Sequence, residues 1–144
     1  MLSLHATTQD VRDFLMPGMK SDSIYKTINA ALSHGKRHNR RITIAYLLLP
    51  NVNNKISDKK NLIKWFANRD VLINLMSLNN TYSNTFVRAG QKAMSNFKRD
   101  LEIAGLKVTI RHTTGEKINA ACGQLAGSIA KRPQINKYRR SRSF

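Results

Sequence analysis

Short apolar runs alternate with amphipathic ones along the chain. RITIAYLLL, residues 41–49, is β-branched and apolar and is closed by Pro50, which predicts a buried strand. VLINLM, residues 71–76, predicts a second buried strand, and LKVTIR, residues 106–111, alternates as a third. Met1–His5 predicts one more short strand at the start. Between these runs the period changes. Ile24, Ile28 and Leu32 recur at i, i+4, i+8, which predicts a helix over 23–34 with Gly35 in place as its C′ residue. Leu62, Ile63 and Phe66 mark a helix that Asp58 can cap. Met94, Phe97 and Leu101 form the inward face of a helix over 92–104, stopped by Gly105. Residues 118–130 predict the start of a last helix.

The resulting order, β-α-β-α-β-α-β, implies an α/β fold with about four parallel strands and right-handed helical crossovers. Four strands fit an open sheet or part of a (β/α) barrel. The first strand starts at Met1, which leaves its edge unprotected, so the expectation is that sequence precedes this segment in a full-length protein. Residues 1–130 are expected to form the barrel portion. Residues 131–144 form a basic tail with Lys131, Arg132, Lys137, Arg139, Arg140 and Arg142 and little to bury, expected to be mobile.

Composition sharpens this picture through charge. Twenty-five Lys and Arg against eight Asp and Glu give a formal net charge of +17 over 144 residues. Such a field attracts polyanions, and nucleic acid is the commonest of them. No apolar run is long enough to span a membrane, and the N-terminus has neither a basic n-region nor an apolar h-region of a secretory signal. With one cysteine no internal disulfide is possible, so a cytoplasmic location is the default expectation.

In parallel α/β architectures ligands bind at the carboxyl ends of the strands, where the βα loops gather. The residues that follow the strands are Ser3, His5 and Thr7; Asn51, Asn53 and Asn54; Ser77, Asn79 and Asn80; and Arg111, His112, Thr113 and Thr114, with Cys122 further on. Neutral hydrogen-bonding groups thus gather at one rim, suited to a cofactor with ribose, amino and carboxylate groups. The competing reading is that loop Asn and Ser residues only form turns. The chain has no carboxylate pair for hydrolysis, no His/Cys/Asp cluster for zinc and no GxGxxG or GxxxxGK[ST] loop. Cys122 lies among Ala120, Ala121, Gly123 and Ala126. A lone cysteine usually behaves as a small hydrophobe, but the same small neighbours let a ligand come close.

SLHA at the end of the first strand, Asn79 in INLMSLN, and above all RHTTGEKINAACGQLAG together resemble the C-terminal half of the RlmN/Cfr family, with the likeness running from about Leu2 to Gly127. These are radical S-adenosylmethionine (SAM) enzymes that methylate an adenosine carbon in 23S ribosomal RNA, and some also act on transfer RNA. The resemblance implies a partial (β/α) radical-SAM-type barrel. It implies SAM contacts from Ser3, Leu4, His5 and Asn79, and a methyl-accepting role for Cys122. A second SAM, cleaved reductively at a 4Fe–4S cluster, would then activate the methylated thiol for transfer to the base.

The chain departs from the family in several places. It has no CxxxCxxC motif, so it does not itself ligate the family's cluster. The resolving cysteine and the Gly-Glu segment on an earlier strand are also absent. Ala45 stands where relatives commonly carry Glu, SLNN replaces PWNP, and Asn54 replaces Asp. Two readings remain at this stage. The chain is the C-terminal part of a truncated or split methyltransferase, inactive alone and completed by an N-terminal half in trans; or it is a non-catalytic RNA-binding module.

Overall fold

The structure is a computed structural model and describes residues 1–19, 22–78 and 86–111. Its elements in chain order are β1 (Leu2–Ser3), α1 (Gln9–Leu15), a 3-10 turn at Pro17–Met19, α2 (Ile24–His38), β2 (Ile42–Leu47), α3 (Ile56–Phe66), β3 (Val71–Met76), α4 (Gln91–Ile103) and β4 (Lys107–Arg111). The strands form one sheet in the order β1-β2-β3-β4, with every neighbouring pair parallel. The alternation expected from the sequence is therefore present. The short helix α1 is an addition: its seven residues carry too little period to be seen in the sequence.

Strand parity divides the sheet into two unlike faces. Leu4, Ile44, Tyr46, Ile73, Leu75 and Val108 belong to one buried cluster with Ile24 and Ile28 of α2, Leu62 and Phe66 of α3, and Met94, Phe97 and Leu101 of α4. Burying each large aliphatic side chain contributes about 1.5–3 kcal/mol. Register aligns the opposite parity. Ser3 faces Ala45, Ala45 faces Asn74 and Asn74 faces Thr109, one row across all four strands. The Thr109 hydroxyl donates to Asn74 Oδ1 at 3.4 Å. In a closed barrel this row would face inward.

Two helix boundaries depart from the sequence expectation. Helix α2 does not stop at Gly35 but runs to His38, and Asn39 takes the left-handed conformation at φ 48°. Asn39 N–H donates to the carbonyls of Gly35 and Lys36, so an asparagine does the work expected of the glycine. Gly35 is needed for another reason. A Cβ there would lie 2.6 Å from Ile42 Cγ1 and 2.9 Å from the Arg40 carbonyl oxygen. The second departure is Asp58, which is not the N-cap of α3. It lies inside the first turn, where Oδ2 accepts the backbone N–H of Lys55 at 2.9 Å. Gly105, by contrast, ends α4 as expected, at φ 85°.

Candidate functional site

The carboxyl end of the sheet is assembled around His5. The chain leaves β1 through this residue in a left-handed conformation, φ 55°, which is uncommon for a residue with a Cβ. The turn lays the imidazole against the end of β2. His5 Nδ1 accepts the backbone N–H of Leu47 at 3.0 Å, which requires a neutral ring with its proton on Nε2. Burial, and then the positive charge of Arg12, lower the His5 pKa to about 4. Ser3 stands exposed at the end of β1, and Leu4 is fully buried in the helix-side core, with its N–H donating to the Ala45 carbonyl at 3.0 Å.

Asn53 holds this arrangement in place. Its Nδ2 donates to the His5 carbonyl at 2.8 Å and to the Leu47 carbonyl at 2.7 Å. Its Oδ1 accepts the Leu49 N–H at 2.7 Å, and its own carbonyl accepts the Tyr46 hydroxyl at 2.8 Å. Burial, reinforced by the charge of Asp58, raises the Tyr46 pKa, which keeps that hydroxyl a donor. Asn53 is completely buried and saturated with backbone partners, so it is a clamp rather than a free ligand. Asn54 is half-buried and engaged through one atom, its Oδ1 accepting the Asn51 N–H at 2.8 Å. Thr7 is likewise spent, its hydroxyl donating to Asp58 Oδ1. Of the rim residues singled out in the sequence after the first two strands, Ser3, His5 and the exposed Asn51 thus keep side-chain groups to offer a ligand. Asn79 and Cys122 lie outside the described residues.

The rim also contains a residue that the sequence reading missed. Arg12 on α1 is 1% exposed, and its Nε, Nη1 and Nη2 have no hydrogen-bond partner among the described residues. It shares the buried face of α1 with Leu15, one turn away. Leu15 packs with Leu47, Leu49 and Leu78 in a second apolar cluster at this end of the sheet. The signal available in the sequence was a cation at an apolar spacing in QDVRDFL.

Beyond β3 and β4 the surface opens into a hollow of about 500 Å³ lined by Ser77, Arg88, Gly90, Gln91, Ser95 and Arg111, among others. Arg88 Nε donates to Ser77 Oγ at 3.3 Å, and neither arginine forms an ion pair among the described residues. Gly90, the N-cap of α4, lies in its lining, and the first turn of α4 carries no acidic residue. Among the described residues no group of three or more His, Cys, Asp or Glu could hold a metal ion. None of the described helices is long and apolar enough to cross a membrane.

The pH dependence of folding follows from His5. Its folded pKa of about 4 lies below the model-peptide value of 6.5. The unfolded chain therefore binds the extra proton between those values. The contribution of the neutral ring is complete above pH 6.5 and is lost as pH falls toward 4, amounting to about 3 kcal/mol. Urea unfolding of the wild type is expected to weaken over that window, whereas His5→Gln should show a flatter profile. Parallel profiles for the two proteins would show that another group titrates.

Comparison with known proteins places this geometry. A crystal structure of a radical SAM methyltransferase from Sphaerobacter thermophilus superposes with a TM-score of 0.76 and 31% identity, covering 85% of this chain and 36% of that one. A domain of a pyruvate-formate lyase-activating enzyme from Bacteroides vulgatus shares the fold at a TM-score of 0.56 and 18% identity, over 72% of this chain and 61% of that one. The fold is thus an α/β segment of the radical SAM type, a partial barrel. In sequence, the chain is 39% identical over 124 residues to a probable RNA methyltransferase of Rhodopseudomonas palustris, covering 86% of this chain and 34% of the relative. It is 37% identical over 134 residues to a probable dual-specificity RNA methyltransferase RlmN of Clostridium beijerinckii, covering 93% and 38%. The chain is a relative of the RlmN-type RNA methyltransferases, and it spans about a third of the length of the curated relatives it matches. No protein-family model matches it.

Proposed function

We propose that the chain supplies one portion of an RlmN-type RNA methyltransferase, carrying part of the SAM site and the thiol that bears the methyl group. The observation that carries this reading is the likeness to a radical SAM methyltransferase at a TM-score of 0.76, with Ser3 and His5 presented at the strand carboxyl ends. The groups present suit SAM. Ser3 offers a hydroxyl and His5 a neutral ring with Nε2–H free of the Leu47 contact. Leu4 acts through its position in the backbone, since its side chain belongs to the core. Asn79 is assigned to the same site by the resemblance.

SAM supplies an electrophilic methyl group on a sulfonium sulfur. Cys122 is the group of this chain suited to receive it, because a thioether holds one carbon covalently and its small neighbours leave room for a base. The 4Fe–4S cluster of the family does not fit this chain. One cysteine among 144 residues cannot supply three thiolates. Residues 1–130 act as the barrel portion, and the tail 131–144 together with Arg88 and Arg111 faces RNA phosphates, 23S ribosomal RNA by resemblance. That assignment carries with it a cytoplasmic location.

Reconstitution tests the proposal. The chain, SAM, a reductant and ribosomal RNA are expected to give no methylated adenosine. Adding a separately produced N-terminal portion of an RlmN relative, bearing CxxxCxxC, should restore methylation. Turnover by the chain alone contradicts the proposal. A second reading, a non-catalytic RNA-binding module, draws on the net charge of +17 and on Arg88 and Arg111 of the hollow, which form no ion pair among the described residues. Salt-sensitive RNA binding with no reconstituted methylation, and no response to SAM, would favour it.

A further inference from the structure

At the end of the sheet away from Ser3 and His5, cations gather with little to balance them. The segment SHGKRHNRR, residues 33–41, brings Lys36, Arg37, Arg40 and Arg41 to the amino end of β2. Arg69 reaches the same place from the turn after α3. With Lys36 and Arg40 it lines a hollow of about 380 Å³ that also takes in Ser33, Asn39 and Asp70. Asp70 is the one carboxylate among these lining residues, and it is spent on Arg41 at 2.8 Å and on Lys107 at 3.4 Å. Lys36, Arg37, Arg40 and Arg69 are exposed and form no ion pair among the described residues. Cations in a last helical turn, as Lys36 and Arg37 are in α2, offset the helix dipole, an ordinary stabilising role. That effect fades beyond the last turn, so it does not account for Arg40 or Arg69.

The backbone beneath these groups is fixed. Asn39 closes α2 in the left-handed conformation, and the Arg40 N–H donates to the Gly35 carbonyl at 2.9 Å, so the loop is held while its side chains stay in solvent. Cations around a concave surface, with the Ser33 hydroxyl and the Asn39 amide beside them, suit phosphodiester oxygens. None of the large apolar side chains exposed on the described residues lies in the hollow, whereas a membrane-seeking surface needs such groups to insert. His34 and His38, exposed with their rings 4.5 Å apart, add faces on which an unpaired base can stack. We propose that Lys36, Arg40 and Arg69 form a second RNA-binding surface, which grips the phosphate backbone at the amino end of the sheet. β2 spans six residues, so about 20 Å separates this surface from the rim of Ser3 and His5. A ligand that engages both is a folded RNA with more than one segment, not a short single strand. The inference rests on the RNA reading above and adds where the RNA is held away from the methyl-bearing site.

The test uses the full chain and a folded fragment of 23S ribosomal RNA, with binding measured over a range of salt concentrations. Arg40→Gln combined with Arg69→Gln removes two exposed charges without touching the core, so the melting temperature should hold. This pair is expected to bind RNA on the order of tenfold more weakly, with a salt slope shallower by about two. Lys60→Gln combined with Lys64→Gln, both exposed on α3, lowers the net charge equally and should cost less than about threefold. Arg40→Lys combined with Arg69→Lys keeps both charges and should bind within about threefold of the wild type. Equal losses from the two glutamine pairs show that net charge alone is read, which overturns the inference and leaves the RNA reading standing. A lysine pair as weak as the glutamine pair at the same positions overturns it as well, since the loss is then not one of charge. Phosphatidylserine vesicles form the last arm. If Arg40→Gln with Arg69→Gln abolishes vesicle binding and spares RNA binding, the surface serves a membrane and the inference falls. A wild type that binds no RNA removes both the inference and the RNA reading.

Discussion

Asn53→Ala is expected to destabilise the chain by roughly 3–5 kcal/mol, because three buried backbone groups lose their partners at once and each unmet group costs about 1–3 kcal/mol. The groups are the carbonyls of His5 and Leu47 and the N–H of Leu49, held at 2.7–2.8 Å. No rearrangement within the strand ends can replace them, since Asn53 is fully buried and water has no access. A domain of this size has only about 5–15 kcal/mol in total, so the variant should lie near its unfolding threshold. Asn54→Ala is the internal control. It removes one partly exposed bond to the Asn51 N–H and should cost less than about 1 kcal/mol. Urea unfolding of both variants reads the difference. A loss below 1 kcal/mol for Asn53→Ala would show that His5 is positioned by something other than this amide.

Cys122→Ala is expected to reduce reconstituted methylation below detection. Alanine has no atom on which a one-carbon unit can be carried, so no partial activity should survive if the thiol is the carrier. The same substitution should leave the melting temperature nearly unchanged, and it should not alter the response to SAM. Those two readouts separate the carrier role from the ordinary one, in which a lone cysteine fills space as a small hydrophobe. A variant that still methylates adenosine removes Cys122 from the mechanism, whatever its effect on folding. A variant that loses activity only because it unfolds points back to packing.

Much of the frame was legible because each apolar run has the period of its element. Ile42, Ile44 and Tyr46 alternate with Thr43, Ala45 and Leu47, and the sheet divides them between its two sides as a period of two requires. Ile24 and Ile28, or Met94, Phe97 and Leu101, recur at helical spacing and are buried on one side of their helices. The parallel arrangement followed from strands separated by helices. Boundaries were less legible. Gly35 looked like a stop because glycine commonly ends helices, yet its place is set by the close approach of Ile42, a residue seven positions on whose proximity no local pattern encodes.

For the site, the sequence alone determined the resemblance, carried by SLHA and by the segment around Cys122, and with it the residue types that could contact SAM. It also determined the excess of positive charge. Only the tertiary structure decided which rim residues are spent and which are free. Asn53 and Thr7 look like Ser3 and His5 in the sequence, all polar residues after a strand. Folding consumes the first two in bonds to backbone groups and to Asp58, and leaves the others with groups to offer. It likewise turned Arg12 from one cation among twenty-five into a buried one with no hydrogen-bond partner among the described residues. The physical reason is common to both cases. Residue type sets which hydrogen bonds a group can make, but whether they are already made depends on neighbours brought together from distant parts of the chain.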